Sequence, residues 1–547
     1  MRHQPTRTRP FVATPLCLLV VALTFTQCVA PTTTETSGAT TTAQTGGAQA
    51  RAPVTQRPNG AQARGADAEL ARRIDRELDE GATAGARFGV LVVSLRDGRT
   101  LYARDAERLF LPASSLKLYT TAAALDLLGP DYRWRTSVYA AAPPDARGTI
   151  SDDLILYGRG APDLAARVDR DAPVNHLKQL ADALYARGVR RVRGRVVGDE
   201  SALRGEPLGD GWLWSDVQWY YGAEVSALTI DDNEITVAVL PAARAGEPAQ
   251  VRLTPETDYV RVTNDAETGA RGVRPTLGVT RGLSDNEVRV WGALPVGHAG
   301  VRARLAVHRP ALWAAQQFKR ELQARGIVVD GDATARDARA PSAERFDPAR
   351  ATELAAVTSA TLGDIAHATN KHSINLNAEL ILRTLGRERG AADAPDPARA
   401  ELRGDDEAGA AVIRRWLRER AGAEIERLAL HDGSGLSRLD LVTPAATVRL
   451  LVRMSQSQAA SVFRASLPLA GRDGTLAGRL RGARTAGHIA AKTGTITYVQ
   501  ALAGYADAAD GEPLAFALYC NEETTEARGE RTLDAVAALL AQYPDLP

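Results

Sequence analysis

The chain carries sixty-seven basic residues, yet only five are lysines: Lys117, Lys178, Lys319, Lys371 and Lys492. Arginine serves wherever positive charge alone is needed, so a retained lysine points to chemistry arginine cannot do, chiefly giving up its proton when buried or crowded by charge. Lys117 closes Ser114-Ser115-Leu116-Lys117, and Lys492 opens Lys492-Thr493-Gly494. These are the first and third elements of a serine acyl-transfer signature whose second element is Ser-x-Asn. Such chemistry needs a hydroxyl nucleophile and an amine in reach of its proton.

Two segments compete for the second element. Ser284-Asp285-Asn286 fits the strict wording, but it leads straight into a strand-like run at 287–291 and reads as hairpin-turn chemistry. Ser373-Ile374-Asn375 lies between helical patterns at 362–370 and 376–385, where a loop can turn both polar side chains to a cleft, and it is the better fit. His431-Asp432-Gly433-Ser434-Gly435 holds the residue types of a Ser-His-Asp triad. A triad is assembled in space rather than from sequence neighbours, however, and no Gly-x-Ser-x-Gly elbow occurs. No His-Glu-x-x-His run or paired-cysteine spacing is present, so neither a metal site nor a cofactor is expected. Cys520, at the end of an apolar run, reads as a buried structural thiol. A formal net charge of +1 gives no reason to expect nucleic acid as a partner.

The signature places demands on the surrounding elements. Lys117 meets Ser114 if both lie on one face of a helix over 114–128, which Gly129-Pro130 stops. The N–H groups of its first turn would help to hold an oxyanion. A lysine base needs a lowered pKa, and Lys492 is expected to supply the depressing charge. The apolar surroundings of Lys492 put it on or beside a strand edge, where an extended substrate ending in a carboxylate could lie antiparallel. A helix at 67–80 and strands at 88–95 and 100–104 open the folded part. Strands at 498–506 and 513–520 and a helix at 524–540 close it, so one sheet is assembled from both ends. Helical patterns at 354–387, 406–420 and 443–455 form a lobe beside it. Between about 135 and 355 the texture changes to short β-rich runs, as at 153–157, 192–197 and 234–240.

At 547 residues the chain exceeds what one hydrophobic core usually serves. The expected organisation is a signal at 1–30 (1–27 if a lipoprotein signal), a linker at 31–66, a catalytic domain at 67–137 and 355–547, and inserted β-rich domains at 138–354. Arg2, Arg7 and Arg9 precede an apolar run at 11–25, as in an export signal. Processing with a lipid anchor at Cys28 and plain cleavage after Ala30 both fit, and either leads to the periplasm or cell envelope. The linker has almost no large apolar residue and cannot bury enough surface to fold. The oligomeric state is left open.

Ser114-Ser115-Leu116-Lys117, Ser373-Ile374-Asn375, Asp432-Gly433-Ser434-Gly435-Leu436-Ser437-Arg438 and Lys492-Thr493-Gly494-Thr495, in that order, resemble the class C low-molecular-mass penicillin-binding proteins, a family of D-alanyl-D-alanine carboxypeptidases/endopeptidases. Gly211-Trp212-Leu213-Trp214 and Tyr220-Tyr221-Gly222-Ala223 add to the likeness, which spans about 69–537. The 259 residues separating the first two motifs are themselves a trait of that family. The resemblance implies an α+β transpeptidase-like (serine β-lactamase-like) domain, with antiparallel sheet and helical lobe, interrupted by β-rich inserts. It implies that Ser114 attacks the penultimate D-alanine carbonyl of peptidoglycan stem peptides with Lys117 as base, and that Ser373 relays a proton to the leaving amine. Asn375 would bind the substrate amide, and Lys492 and Thr493 the terminal carboxylate. The N–H groups of Ser114 and Thr495 would form the oxyanion hole, and β-lactam antibiotics would be covalent inhibitors. Asp432 to Arg438 would be a structural loop near the cleft. The family commonly has a polar residue where this chain has Ile374. That departure also suits a non-catalytic peptidoglycan-binding or sensor protein that keeps the fold.

Overall fold

The computed structural model describes residues 65–81, 85–166, 174–339, 345–390 and 397–546, all within the compact unit Ala52–Pro547. The expected signal, Cys28 and nearly all of the linker lie outside the described residues.

Strands from the two ends of the chain build one antiparallel five-stranded sheet in the order Ile489–Ile496, Val499–Asp507, Pro513–Asn521, Arg87–Ser94, Thr100–Arg104. Side chains alternate across a strand, and both faces here are covered, so the central strands read as unbroken apolar runs. Val90 and Val92 pack with the helices Gly65–Glu80 and Glu526–Gln542, while Leu91 and Val93 face the helical lobe. Leu70, Ile74 and Leu78 form the buried stripe of the first helix, at the spacing expected from the sequence. The strand Ile489–Ile496 lies at the sheet edge, as expected for Lys492.

On the lobe side, residues Ala113–Leu116 form a 3-10 turn that continues as the helix Lys117–Leu127. The expected helix therefore begins with a tighter turn, closed by the Ser115 N–H donating to the Pro112 carbonyl at 3.2 Å. Lys117 to Leu125 are all buried, which makes this the central helix, and it ends at Gly129 with φ +84°. Around it stand Leu362–His372, Asn375–Arg389, Pro397–Arg420, Pro444–Ser455 and Ala460–Ser466. Thr361 and Asp364 cap the first of these reciprocally, and only Ser373 and Ile374 separate it from the second.

The insert is β-rich, but it is not built only of small β modules. Its five-stranded sheet runs Ala333–Arg336, Val196–Asp199, Leu154–Tyr157, Arg135–Ala140, Thr352–Thr358, and its first two neighbouring pairs are parallel. Parallel neighbours need crossovers, which here contain the helices His176–Ala186 and Pro310–Ala324. Two further three-stranded sheets contain Glu234–Leu240 and Glu287–Pro295. The expected junctions at 137/138 and 354/355 fall inside the strands Arg135–Ala140 and Thr352–Thr358, which pair with each other. No helix among the described residues is long and apolar enough to cross a membrane.

Candidate active site

The central helix, the loop between Leu362–His372 and Asn375–Arg389, and the edge strand meet around a cleft of about 520 Å³ lined by Ser114, Ser373, Asn375, Thr475 and Thr495. Lys117 is fully buried at its floor. Its Nζ lies 2.9 Å from Ser114 Oγ, 2.7 Å from Asn375 Oδ1 and 2.8 Å from the Ser434 carbonyl oxygen. The orientation of the Asn375 amide is fixed, because its Nδ2 donates to the Tyr221 carbonyl at 2.8 Å and a carbonyl can only accept. Two of the three neighbours of Nζ are therefore pure acceptors. A neutral amine satisfies them with its two N–H bonds and turns its lone pair toward the Ser114 hydroxyl.

Ser373 ends its helix with φ +58°, an uncommon conformation for serine that costs on the order of 1 kcal/mol. Its Oγ receives Lys492 Nζ at 2.9 Å, and the same amine group donates to the Thr493 carbonyl at 2.8 Å. Thr493 Oγ1 lies 2.7 Å from Thr475 Oγ1, and Thr495 Oγ1 donates to Gln500 Oε1 at 2.9 Å. The seven side chains singled out in the sequence thus gather at one cleft. Ser284-Asp285-Asn286 does not join them. It turns the chain from Gly278–Arg281 into Glu287–Pro295, with Asp285 Oδ1 accepting from the Glu287 N–H at 2.8 Å and Asn286 tied to His308.

The electrostatics differ from expectation in one respect. Burial is the first cause that lowers Lys117, to about 7, while the nearby Asp432 and then Glu379 act against it. Lys492 is held well below its ordinary value, first by its own burial and then by the positive charge of Lys117. Desolvation, rather than a second cation, is thus what lowers the Lys117 amine. Behind it Asp432 accepts from the N–H groups of Ser434, Gly435 and Ser437, from Ser434 Oγ, and from Trp212 Nε1. That web holds the Ser434 carbonyl against Lys117. Burial and the neighbouring Asp432 push the carboxyls of Glu379 and Asp440 well above their usual range.

Sequence reasoning missed several contributors. The Ser434 and Tyr221 carbonyls carry no side-chain signature, and Tyr221 and Trp212 come from the insert. Glu379 lies one helical turn beyond Asn375, a spacing that marks it as facing the same way. Asp432 to Arg438 is a loop tied together by Asp432, and its Ser434 carbonyl contacts Lys117 directly. Cys520 is buried with its thiol pushed up to about 12, which makes it unreactive.

Comparison with known proteins bears on the whole arrangement. The chain is 38% identical over 486 residues to a D-alanyl-D-alanine carboxypeptidase of Actinomadura sp. (strain R39), covering 87% of this chain and 85% of that one. It is 24% identical to the D-alanyl-D-alanine carboxypeptidase DacB of Haemophilus influenzae, covering 82% and 88%. Among solved structures, penicillin binding protein 4 from Haemophilus influenzae superposes with a TM-score of 0.71 at 22% identity, over 84% of this chain and 98% of that one, which establishes a shared fold. Residues 70–543 match the D-Ala-D-Ala carboxypeptidase 3 (S13) family from end to end of the described molecule, and the chain belongs to that family.

Proposed function

We propose that Ser114 is the acylating nucleophile of this serine-type D-alanyl-D-alanine carboxypeptidase and Lys117 its general base. The observation that carries this reading is the buried Lys117 amine, lowered to about 7, whose two acceptor partners leave its lone pair for Ser114 at 2.9 Å. Lys117 takes the hydroxyl proton as Oγ bonds to the carbonyl carbon of the penultimate D-alanine. The N–H groups of Ser114 and Thr495 take up the negative charge on the carbonyl oxygen. The C–N bond then breaks, and Ser373 passes a proton to the departing amine of the last D-alanine, drawing its replacement through Lys492 from the protonated Lys117, which returns to the free base. Water, deprotonated by Lys117, hydrolyses the ester and restores Ser114.

Lys492 and Thr493 hold the terminal carboxylate, and the second N–H of Asn375 Nδ2 is left for the substrate amide. Stem peptides of peptidoglycan supply such an end, which places the enzyme in the cell envelope. Replacing the leaving D-alanine by the amine of a cross-linked stem turns the same chemistry into an endopeptidase. β-Lactams acylate Ser114 by the same attack, but their amine stays tethered to the ester. The non-catalytic reading is not favoured, because Ile374 leaves Ser373 and Asn375 free to reach the two lysines. A fluorescent penicillin is expected to label the full chain covalently and to leave Ser114→Ala unlabelled; an unlabelled intact protein refutes the assignment.

A further inference from the structure

Lys371 is a rare lysine outside the acyl-transfer chemistry, and its surroundings are specific. It sits in the last turn of Leu362–His372, two residues before Ser373, and is 7% exposed. Its Nζ lies 2.7 Å from each carboxylate oxygen of Asp473. Asp473 Oδ1 also accepts from the Leu469 N–H at 2.8 Å, so the carboxylate is fixed from both sides. The next residue, Gly474, has φ +56°, and a Cβ there would come within 2.6 Å of the Lys371 carbonyl oxygen. The turn Gly474–Leu476 is therefore pressed onto the helix end that carries Ser373. Thr475, on that turn, lines the cleft and touches Thr493 Oγ1 at 2.7 Å.

We propose that Lys371, Asp473 and Thr475 are positioning residues for the substrate's terminal carboxylate: the ion pair fixes the turn, and the turn aims the Thr493 hydroxyl. This rests on the carboxylate-binding role given above to Lys492 and Thr493. A carboxylate only accepts hydrogen bonds, so Thr493 must donate its single O–H to it. Its oxygen is then the acceptor for Thr475, whose own O–H orients it. The brace joins the helical lobe to the edge strand on the side of the cleft where Ser373 and Lys492 meet.

The test uses the full chain and two thioester analogues of the stem, one ending in a carboxylate and one in a carboxamide. Thr475→Val, which keeps shape and loses the hydroxyl, is expected to raise KM for the carboxylate analogue by about three- to tenfold, with kcat nearly unchanged. The carboxamide analogue should be unaffected, and Thr475→Ser should restore the carboxylate preference. Lys371→Met should shift the preference in the same direction, and Thr475→Val added to it should cost less than it does alone. Equal losses on both analogues, a Thr475→Ser variant as impaired as Thr475→Val, or independent effects of the two sites would overturn the brace. Turnover of either analogue by Ser114→Ala would instead overturn the reading beneath it.

Discussion

Acylation should switch off in acid because Lys117 must be neutral to accept the Ser114 proton. The amine is lowered from 10.5 to about 7 by burial. One pH unit below its pKa only about a tenth of the molecules hold the free base, so the second-order acylation rate should fall about tenfold for each unit below about pH 7. Lys117→Arg supplies a guanidinium that stays charged throughout, and its rate should be flat with pH and lower by about 10²–10⁴ at neutrality. Stopped-flow mixing with a fluorescent penicillin across this pH range measures both, and circular dichroism reports whether the larger side chain is accommodated. A wild-type midpoint above about pH 9, or an arginine variant acylating within about tenfold of wild type, refutes the argument that burial sets the base.

The same burial has a stability consequence. The folded pKa of Lys117 lies below its unfolded value, so the unfolded chain binds more protons between about pH 7 and 10.5. The cost is complete below about pH 7 and disappears as the pH rises through the unfolded value. Denaturant unfolding of Lys117→Met should show the stability difference moving in the variant's favour by on the order of 4–5 kcal/mol as the pH falls from about 10.5 to about 7; parallel pH curves would contradict this. At Gly435, φ is +81° and a Cβ would lie 1.8 Å from the Ala113 carbonyl oxygen, so Gly435→Ala must displace the turn that presents Ser114. Its acylation rate should drop at least about tenfold, since an ångström of misplacement at a reacting group costs that much or more; a normal rate would show that the turn yields freely.

Much of this molecule is legible from neighbouring residues. At the two ends of the chain, apolar periodicity, Asp-Gly turns and the Gly129-Pro130 stop place elements close to their observed bounds, because backbone conformation and amphipathicity are set over spans of a few positions, whereas the helical pattern expected from 354 begins inside the strand Thr352–Thr358 and the one expected from 406 belongs to a helix that starts at Pro397. The scarcity of lysine likewise marked Lys117 and Lys492 before any geometry was known, since residue type alone limits which groups can lose a proton. The two helices of the insert were harder to see. His176–Ala186 and Pro310–Ala324 are short and set among strands, and only the parallel pairing they serve explains them.

The sequence by itself therefore determined the family, the order of the motifs and the identities of the side chains at the cleft. Tertiary structure alone decided that desolvation rather than Lys492 lowers Lys117, and that Asn375, Ser434 and Tyr221 fix the direction of its lone pair. Lys371 shows the limit of compositional reasoning, because its rarity gave it no role and its surroundings show an ion pair with Asp473. The physical reason is range. Conformational preference acts between near neighbours, whereas the dielectric around an amine and its hydrogen-bond partners come from residues 258 and 317 positions away, brought there only by folding.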